Sequence, residues 1–178
     1  MKTALTFCLL LLIALFYTDA QLSEEQKKIY RFHKRVREGA LTCQIPGQPP
    51  AKKLERLKWS KKLARKAHEQ AKRCDFYSDD PNDLIIGKFN SVGQNIAEFP
   101  SISGALKGWF KEHKNYDFEK NECRGDCKNY KQMVWNTTKA VGCGVHKCDK
   151  NYLVVCNYTP SDSDRRPYEV GSKSQCKE

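Results

Sequence analysis

The residues best able to do chemistry are nine cysteines, four histidines and one charged triplet. Cys123-Arg124-Gly125-Asp126-Cys127 sets a guanidinium and a carboxylate either side of a glycine, between two thiols. Arg-Gly-Asp on a tight exposed loop is the chemistry integrin-type receptors read, and flanking cysteines would lower the ordering cost of such a loop. His33, His68, His113 and His146 lie on separate elements with no metal-ligand spacing between them. No nucleophile motif of a hydrolase is present. Asn136-Thr137-Thr138 and Asn157-Tyr158-Thr159 both fit the N-glycosylation sequon. Asn136 precedes a strand pair and is expected to be exposed. Asn157 falls within a strand and just before Thr159-Pro160, which argues against its use.

The cysteines fix the compartment. Residues 1–20 read as a secretory signal peptide: Lys2, an apolar run from Leu5 to Tyr17, then Thr18-Asp19-Ala20 at the cleavage offsets. That run is too short for a membrane span, and no later stretch is apolar enough to be one. Cleavage removes Cys8 and leaves Cys43, Cys74, Cys123, Cys127, Cys143, Cys148, Cys156 and Cys176. An even count in an exported chain reads as a disulfide framework. Counting alone leaves about 105 pairings open. Residues 21–178 are long enough for one domain with a real core, with a polar tail from about 161.

The net charge of +11 is uneven. Residues 21–74 carry sixteen Lys/Arg and five Asp/Glu, whereas residues 75–178 carry fifteen of each. Solvated helix faces account for such a bias. A face for anionic glycans or lipid headgroups, with Lys58, Lys61, Lys62, Arg65, Lys66, Lys72 and Arg73 as candidates, is the sharper expectation. Export argues against an intracellular nucleic acid as the partner.

These residues need elements to hold them. Ser23-Glu24-Glu25-Gln26 is a capping box, and Ile29, Phe32, Val36 and Ala40 recur at helical spacing, predicting a first helix over 23–38. Breakers Pro46, Gly47, Pro49 and Pro50 make 40–53 a loop. A second helix is expected over 56–74. A polar, turn-rich run follows over 75–91. Residues 92–97 are extended. A third helix over 102–114 carries a broad apolar stripe of Ile102, Ala105, Leu106, Trp109, Phe110 and His113. Residues 115–129 read as an irregular loop, and 130–135 lead to strands over 141–147 and 152–158, joined by a turn at 149–151. The pattern is α+β: three helices layered on a small, mostly antiparallel sheet.

Four ordered segments resemble the CAP superfamily of cysteine-rich secretory proteins, antigen 5 and pathogenesis-related type-one proteins. They are Val92-Gly93-Gln94-Asn95-Ile96-Ala97, the run from Trp109 to Phe118, Asn129 to Trp135 with Val141-Gly142-Cys143-Gly144, and Tyr152 to Pro160. Among the branches, the chain is most similar to helminth venom-allergen-like proteins. The resemblance implies a three-layer α-β-α sandwich and the bridges Cys74–Cys143, Cys148–Cys156 and Cys123–Cys127, leaving Cys43–Cys176 as the fourth. It also implies a central cleft where many such proteins carry two histidines and two glutamates. Here those positions hold Tyr77, Gln94, Glu112 and Asn129. A tyrosine near its normal pKa and two amides are poor zinc ligands at neutral pH. One glutamate is not a two-group acid–base pair. The expectation is therefore no metal, no cofactor and no catalysis.

What remains is binding. The resemblance implies lipid partners, sterol or fatty acid, and the candidates are Trp109, Phe110, Tyr116, Phe118 and Tyr130 beside the 115–130 loop. The strict aromatic-x-aromatic-x4-aromatic run linked with sterol binding in the family is absent, so fatty acid stands level with sterol. The alternative is a cell-surface ligand acting through Arg124, Gly125 and Asp126, or through the basic face. The resemblance further associates such proteins with modulation of a host immune response.

Overall fold

A four-stranded sheet runs through the middle of the molecule in the order β1-β5-β6-β2. The computed structural model describes residues 22–77, 84–87, 89, 91–162 and 165–176. The signal-peptide reading of residues 1–20 and part of the turn-rich run, at 78–83, 88 and 90, lie outside the described residues. The strands are β1 (Lys58–Trp59), β2 (Gly93–Phe99), β5 (Ala140–Cys148) and β6 (Asn151–Thr159). β1 pairs with β5 in parallel, and the other pairs are antiparallel. A two-stranded hairpin, β3 (Tyr116–Asp117) with β4 (Glu122–Cys123), lies within the stretch expected to be irregular.

Helix α1 (Glu24–Leu41) starts where the capping box places it. Ser23 Oγ accepts from Gln26 N at 3.2 Å, and Ser23 N donates to Gln26 Oε1 at 3.1 Å. Helix α2 (Lys61–Ala71) starts later than expected, because Lys58 and Trp59 are drawn into the sheet edge and Ser60 becomes its N-cap. Helix α3 (Ile102–Lys111) tightens into a 3₁₀ turn over Glu112–Lys114. A short helix α4 (Lys128–Met133) spans the end of the stretch expected to be irregular and most of the run that leads to the strands.

Strand parity decides which layer each side chain joins, since successive residues point to opposite faces. On β6, Val154, Cys156 and Tyr158 join the main core with Ile29, Val36, Leu106 and Trp109 from α1 and α3. Leu153 and Val155 join Ala67 and Ala71 of α2. Helix α2 therefore covers one face of the sheet alone, while α1, α3 and α4 share the other. The α-β-α sandwich follows from this alternation. Arg37 fastens α1 to the segments behind it. Its guanidinium is buried and donates to the carbonyls of Met133, Trp135, Glu55 and Thr138.

Parity also corrects two disulfides. The bridges are Cys74–Cys148 and Cys143–Cys156, not Cys74–Cys143 and Cys148–Cys156. Cys143 and Cys148 are five residues apart on β5 and so face opposite layers. Cys143 sits directly across from Cys156 in the β5–β6 register. Cys148 faces the α2 side, beyond whose last turn Cys74 lies, with Cα atoms 5.7 Å apart. Cys123–Cys127 closes the charged loop, and Cys43–Cys176 ties the segment after α1 to the tail.

The tail is fastened along its length. Ala51 and Val170 form an isolated antiparallel bridge. The buried Tyr168 stacks near Phe118, with centroids 4.8 Å apart, and donates to Pro49 O.

Candidate functional site

Glu112 ends α3, and its half-buried carboxylate is held from two sides. Asn129 Nδ2 donates to Oε1 at 2.6 Å, and the Tyr130 backbone N–H donates to Oε2 at 3.1 Å. Burial raises the Glu112 pKa above its usual carboxylate value, and the Asn129 hydrogen bond opposes that rise. Gln94 joins a different set. It stands on the α2 face of β2, exchanges hydrogen bonds with Gln70 at 2.6 and 3.1 Å, and donates to Asn157 Oδ1 at 2.9 Å. Its neighbour Asn95 faces the other way and donates to the Asn129 carbonyl. Tyr77 takes part through its backbone, its carbonyl accepting from Gln70 Nε2 and its N–H donating to Asp75 Oδ1, and the residue is 80% exposed.

The four positions Tyr77, Gln94, Glu112 and Asn129 are thus split between two hydrogen-bond sets and an exposed ring. They present one carboxylate and no imidazole, so they do not fit a zinc ion. Among the described residues, no three His, Cys, Asp or Glu side chains group to hold a metal. His113, next to Glu112 in sequence, is buried against the rings of Phe110 and Tyr130. His33 is buried in the core, with Nδ1 against Ile29 O and Nε2 against the Tyr158 hydroxyl at 2.7 Å. Burial pushes its pKa down to about 4, so the ring is neutral, donates to Ile29 and accepts from Tyr158.

Beside Glu112 runs a groove of about 570 Å³. Its apolar walls are Ile96 and Ala97 of β2, Ala105, Gly108 and Trp109 of α3, and the rings of Phe76 and Phe99. Lys111, Glu112, Asp126 and Asn129 edge it with polar groups. Phe99 is 41% exposed and Phe76 is 53% exposed, among the few large hydrophobic side chains left in solvent. Phe99 continues the inward alternation Asn95, Ala97, Phe99 past the end of the core, and its ring lies over Gly104 and Gly108. The alternation signals Phe99 in the sequence, although the apolar stripe of α3 draws attention elsewhere.

Of the aromatics expected to line a lipid site, only Trp109 borders this groove, and it is almost wholly buried. Tyr130 is fully buried. Phe110 packs edge-on against Phe32 between α3 and α1. Tyr116 and Phe118 belong to the core and edge a separate depression beside Arg124. The reason is that the stripe and the loop aromatics are needed to pack the helices on the sheet.

The basic residues also divide. Lys61, Lys62, Arg65, Lys72 and Arg73 are exposed on or just after α2. The basic residues of α1 lie on the opposite layer, so helices 1 and 2 do not present one common face. Asn136 is half-buried. Asn157 is buried, donating to Leu63 O, which closes that sequon to a glycan in the folded protein. No helix among the described residues is long and apolar enough to cross a membrane.

Residues 30–158 match the cysteine-rich secretory protein (CAP) family. The chain is 37% identical to venom allergen 5 of Vespa magnifica over 163 residues, covering 81% of this chain and 68% of that protein. It is 32% identical to glioma pathogenesis-related protein 1 of Mus musculus over 130 residues, and there spans about half (51%) of the relative's length. Among solved structures, venom allergen-like protein 4 of Schistosoma mansoni superposes with a TM-score of 0.85 at 64% identity, covering 87% of this chain and all of that one. The structure of NaASP2 with Zn2+ superposes with a TM-score of 0.72 at 27% identity, covering 89% and 93%. With its sheet order, its layered helices and a match over most of its length, the chain belongs to the cysteine-rich secretory protein family.

Proposed function

We propose that the protein is exported and binds a lipid, sterol or fatty acid, in the groove between β2 and α3, without catalysing a reaction. The observation that carries this reading is the pair of exposed rings, Phe76 and Phe99, at an apolar-walled groove with a polar edge. Exposed apolar surface rimmed by polar residues is a mark of ligand-binding grooves. The groove volume of about 570 Å³ falls in the range of roughly 300–1,000 Å³ usual for small-molecule sites. Its shape suits an amphiphile whose apolar body lies along Ile96, Ala97 and Gly108 while its polar end meets the Lys111–Glu112–Asn129 edge. Four disulfides support export, because such bridges persist in oxidising compartments. Glu112 supports the non-catalytic part. Its carboxylate is already satisfied by Asn129 and Tyr130, and among the described residues no second carboxylate or imidazole hydrogen-bonds to it.

Mass spectrometry of lipids extracted from the purified protein tests this reading, together with competition by unlabelled sterol and palmitate against radiolabelled ligand. Saturable binding of at least one class is expected. A blank extract and no saturable binding would end the proposal.

A further inference from the structure

We propose that the loop closed by Cys123 and Cys127 is a docking site for an integrin-type cell-surface receptor, which reads Arg124 and Asp126 as a guanidinium–carboxylate pair. This inference stands apart from lipid binding. Residues 123–126 are all exposed, between β4 and α4. The loop is fixed at its base. The bridge spans only four residues, and Cys127 is fully buried as the N-cap of α4. Arg124 N donates to Asn115 O at 2.8 Å, and Asn115 Nδ2 donates to Asp126 O at 2.9 Å, so one residue of the neighbouring segment grips both ends of the triplet. Gly125 has φ +150°, a conformation that favours glycine over any other residue. The backbone is therefore ordered before a partner arrives, which removes part of the entropy cost of binding.

The side chains remain available. The Arg124 side chain is 77% exposed, and a receptor carboxylate would compete with its ion pair at 3.3 Å to Asp117, whose side chain is 20% exposed. Among the described residues the Asp126 carboxylate accepts no hydrogen bond and forms no ion pair. Arg124 borders the depression beside Tyr116 and Asp117, while Asp126 borders the groove beside Glu112. The two charges thus border two different depressions. A receptor that takes the guanidinium in an acidic pocket and the carboxylate on a bound divalent cation would engage them separately.

The test is adhesion of cells that spread on surfaces coated with Arg-Gly-Asp peptide, plated on the immobilised, disulfide-intact protein. Cation-dependent adhesion is expected. It should fall at least tenfold with Asp126→Glu, with Arg124→Gln, or with soluble cyclic Arg-Gly-Asp peptide. No adhesion, adhesion unchanged by both variants, or adhesion competed by heparin and not by the peptide would each overturn the proposal. Far-ultraviolet circular dichroism and the melting temperature check that both variants fold. Arg124→Gln lies outside the lipid groove and should keep wild-type lipid loading, so failure of this proposal is separable from failure of the lipid reading.

Discussion

At the scale of the residue, Glu112 and His33 show how burial sets chemistry. Glu112 is the one carboxylate among the four positions that the family resemblance points to, and Asn129 and a backbone N–H already donate to its oxygens. Titration calorimetry with Zn2+ at neutral pH is therefore expected to show no micromolar site. A site that appears and is lost on Glu112→Ala would contradict this. The degeneracy of the cleft is read from residue types alone, with Tyr77 and Asn129 standing for two imidazoles and Gln94 for a carboxylate. The split into two hydrogen-bond sets is not legible there, because it depends on which face of β2 Gln94 and Asn95 each take. His33 gives the second prediction. Its pKa is about 4 in the fold and about 6.5 unfolded, so between those values the unfolded chain binds more protons and stability falls as pH falls. The loss from pH 7 to pH 4 is about 3 kcal/mol for this group. Glu112 acts with the opposite sign, since a raised carboxyl pKa favours the fold at low pH and loses that contribution as pH rises. Urea denaturation at both pH values should show a smaller drop for His33→Phe than for the wild type. Equal drops would refute the assignment.

At the scale of the element, α2 and β5 make the tightest joint. A Cβ on Gly144 would come within 2.2 Å of the His68 backbone, and one on Gly142 within 2.3 Å of the Ala64 backbone nitrogen. Neither neighbour is a flexible side-chain end, so the helix itself must move. Gly144→Ala is expected to destabilise the fold by about 2–4 kcal/mol, in the range of overpacked cores or beyond it. Thermal melting checks this, and an unchanged midpoint would show that α2 does not sit where described. The same joint explains the two bridges that sequence reasoning misses. Alternation along β5 puts Gly142, Gly144 and Cys148 toward α2, and Cys143 away from it. The parity needed to pair Cys74 with Cys148 is present in the spacing of Cys143 and Cys148, but it acts only once the strand and its covering helix are known. The start of α1 is legible from local capping at Ser23, which accepts a hydrogen bond from the first turn. The start of α2 is not, because pairing of Lys58 and Trp59 with β5 is a long-range event.

At the scale of the whole molecule, the fold is a sandwich whose charge and bridges are distributed unevenly. The excess of basic residues between Gln21 and Cys74 is split over two outer layers, which weakens the case for one glycan-binding face. The Cys43–Cys176 bridge joins positions 133 apart and locks the tail over the loop after α1. Replacing both cysteines by serine should cost about 2–5 kcal/mol. Chemical denaturation checks this, and no change would mean that Tyr168 and the Ala51–Val170 bridge hold the tail unaided. The groove between β2 and α3 is tested most directly at Phe99, whose ring is partly in solvent and can be changed without opening the core. The decisive measurement is equilibrium binding of radiolabelled sterol and palmitate to the wild type and to Phe99→Asp, with folding matched by circular dichroism. Saturable binding to the wild type and at least a tenfold weaker affinity in the variant is the expected result. Equal affinity in both proteins, or no saturable binding to the wild type, would contradict the account.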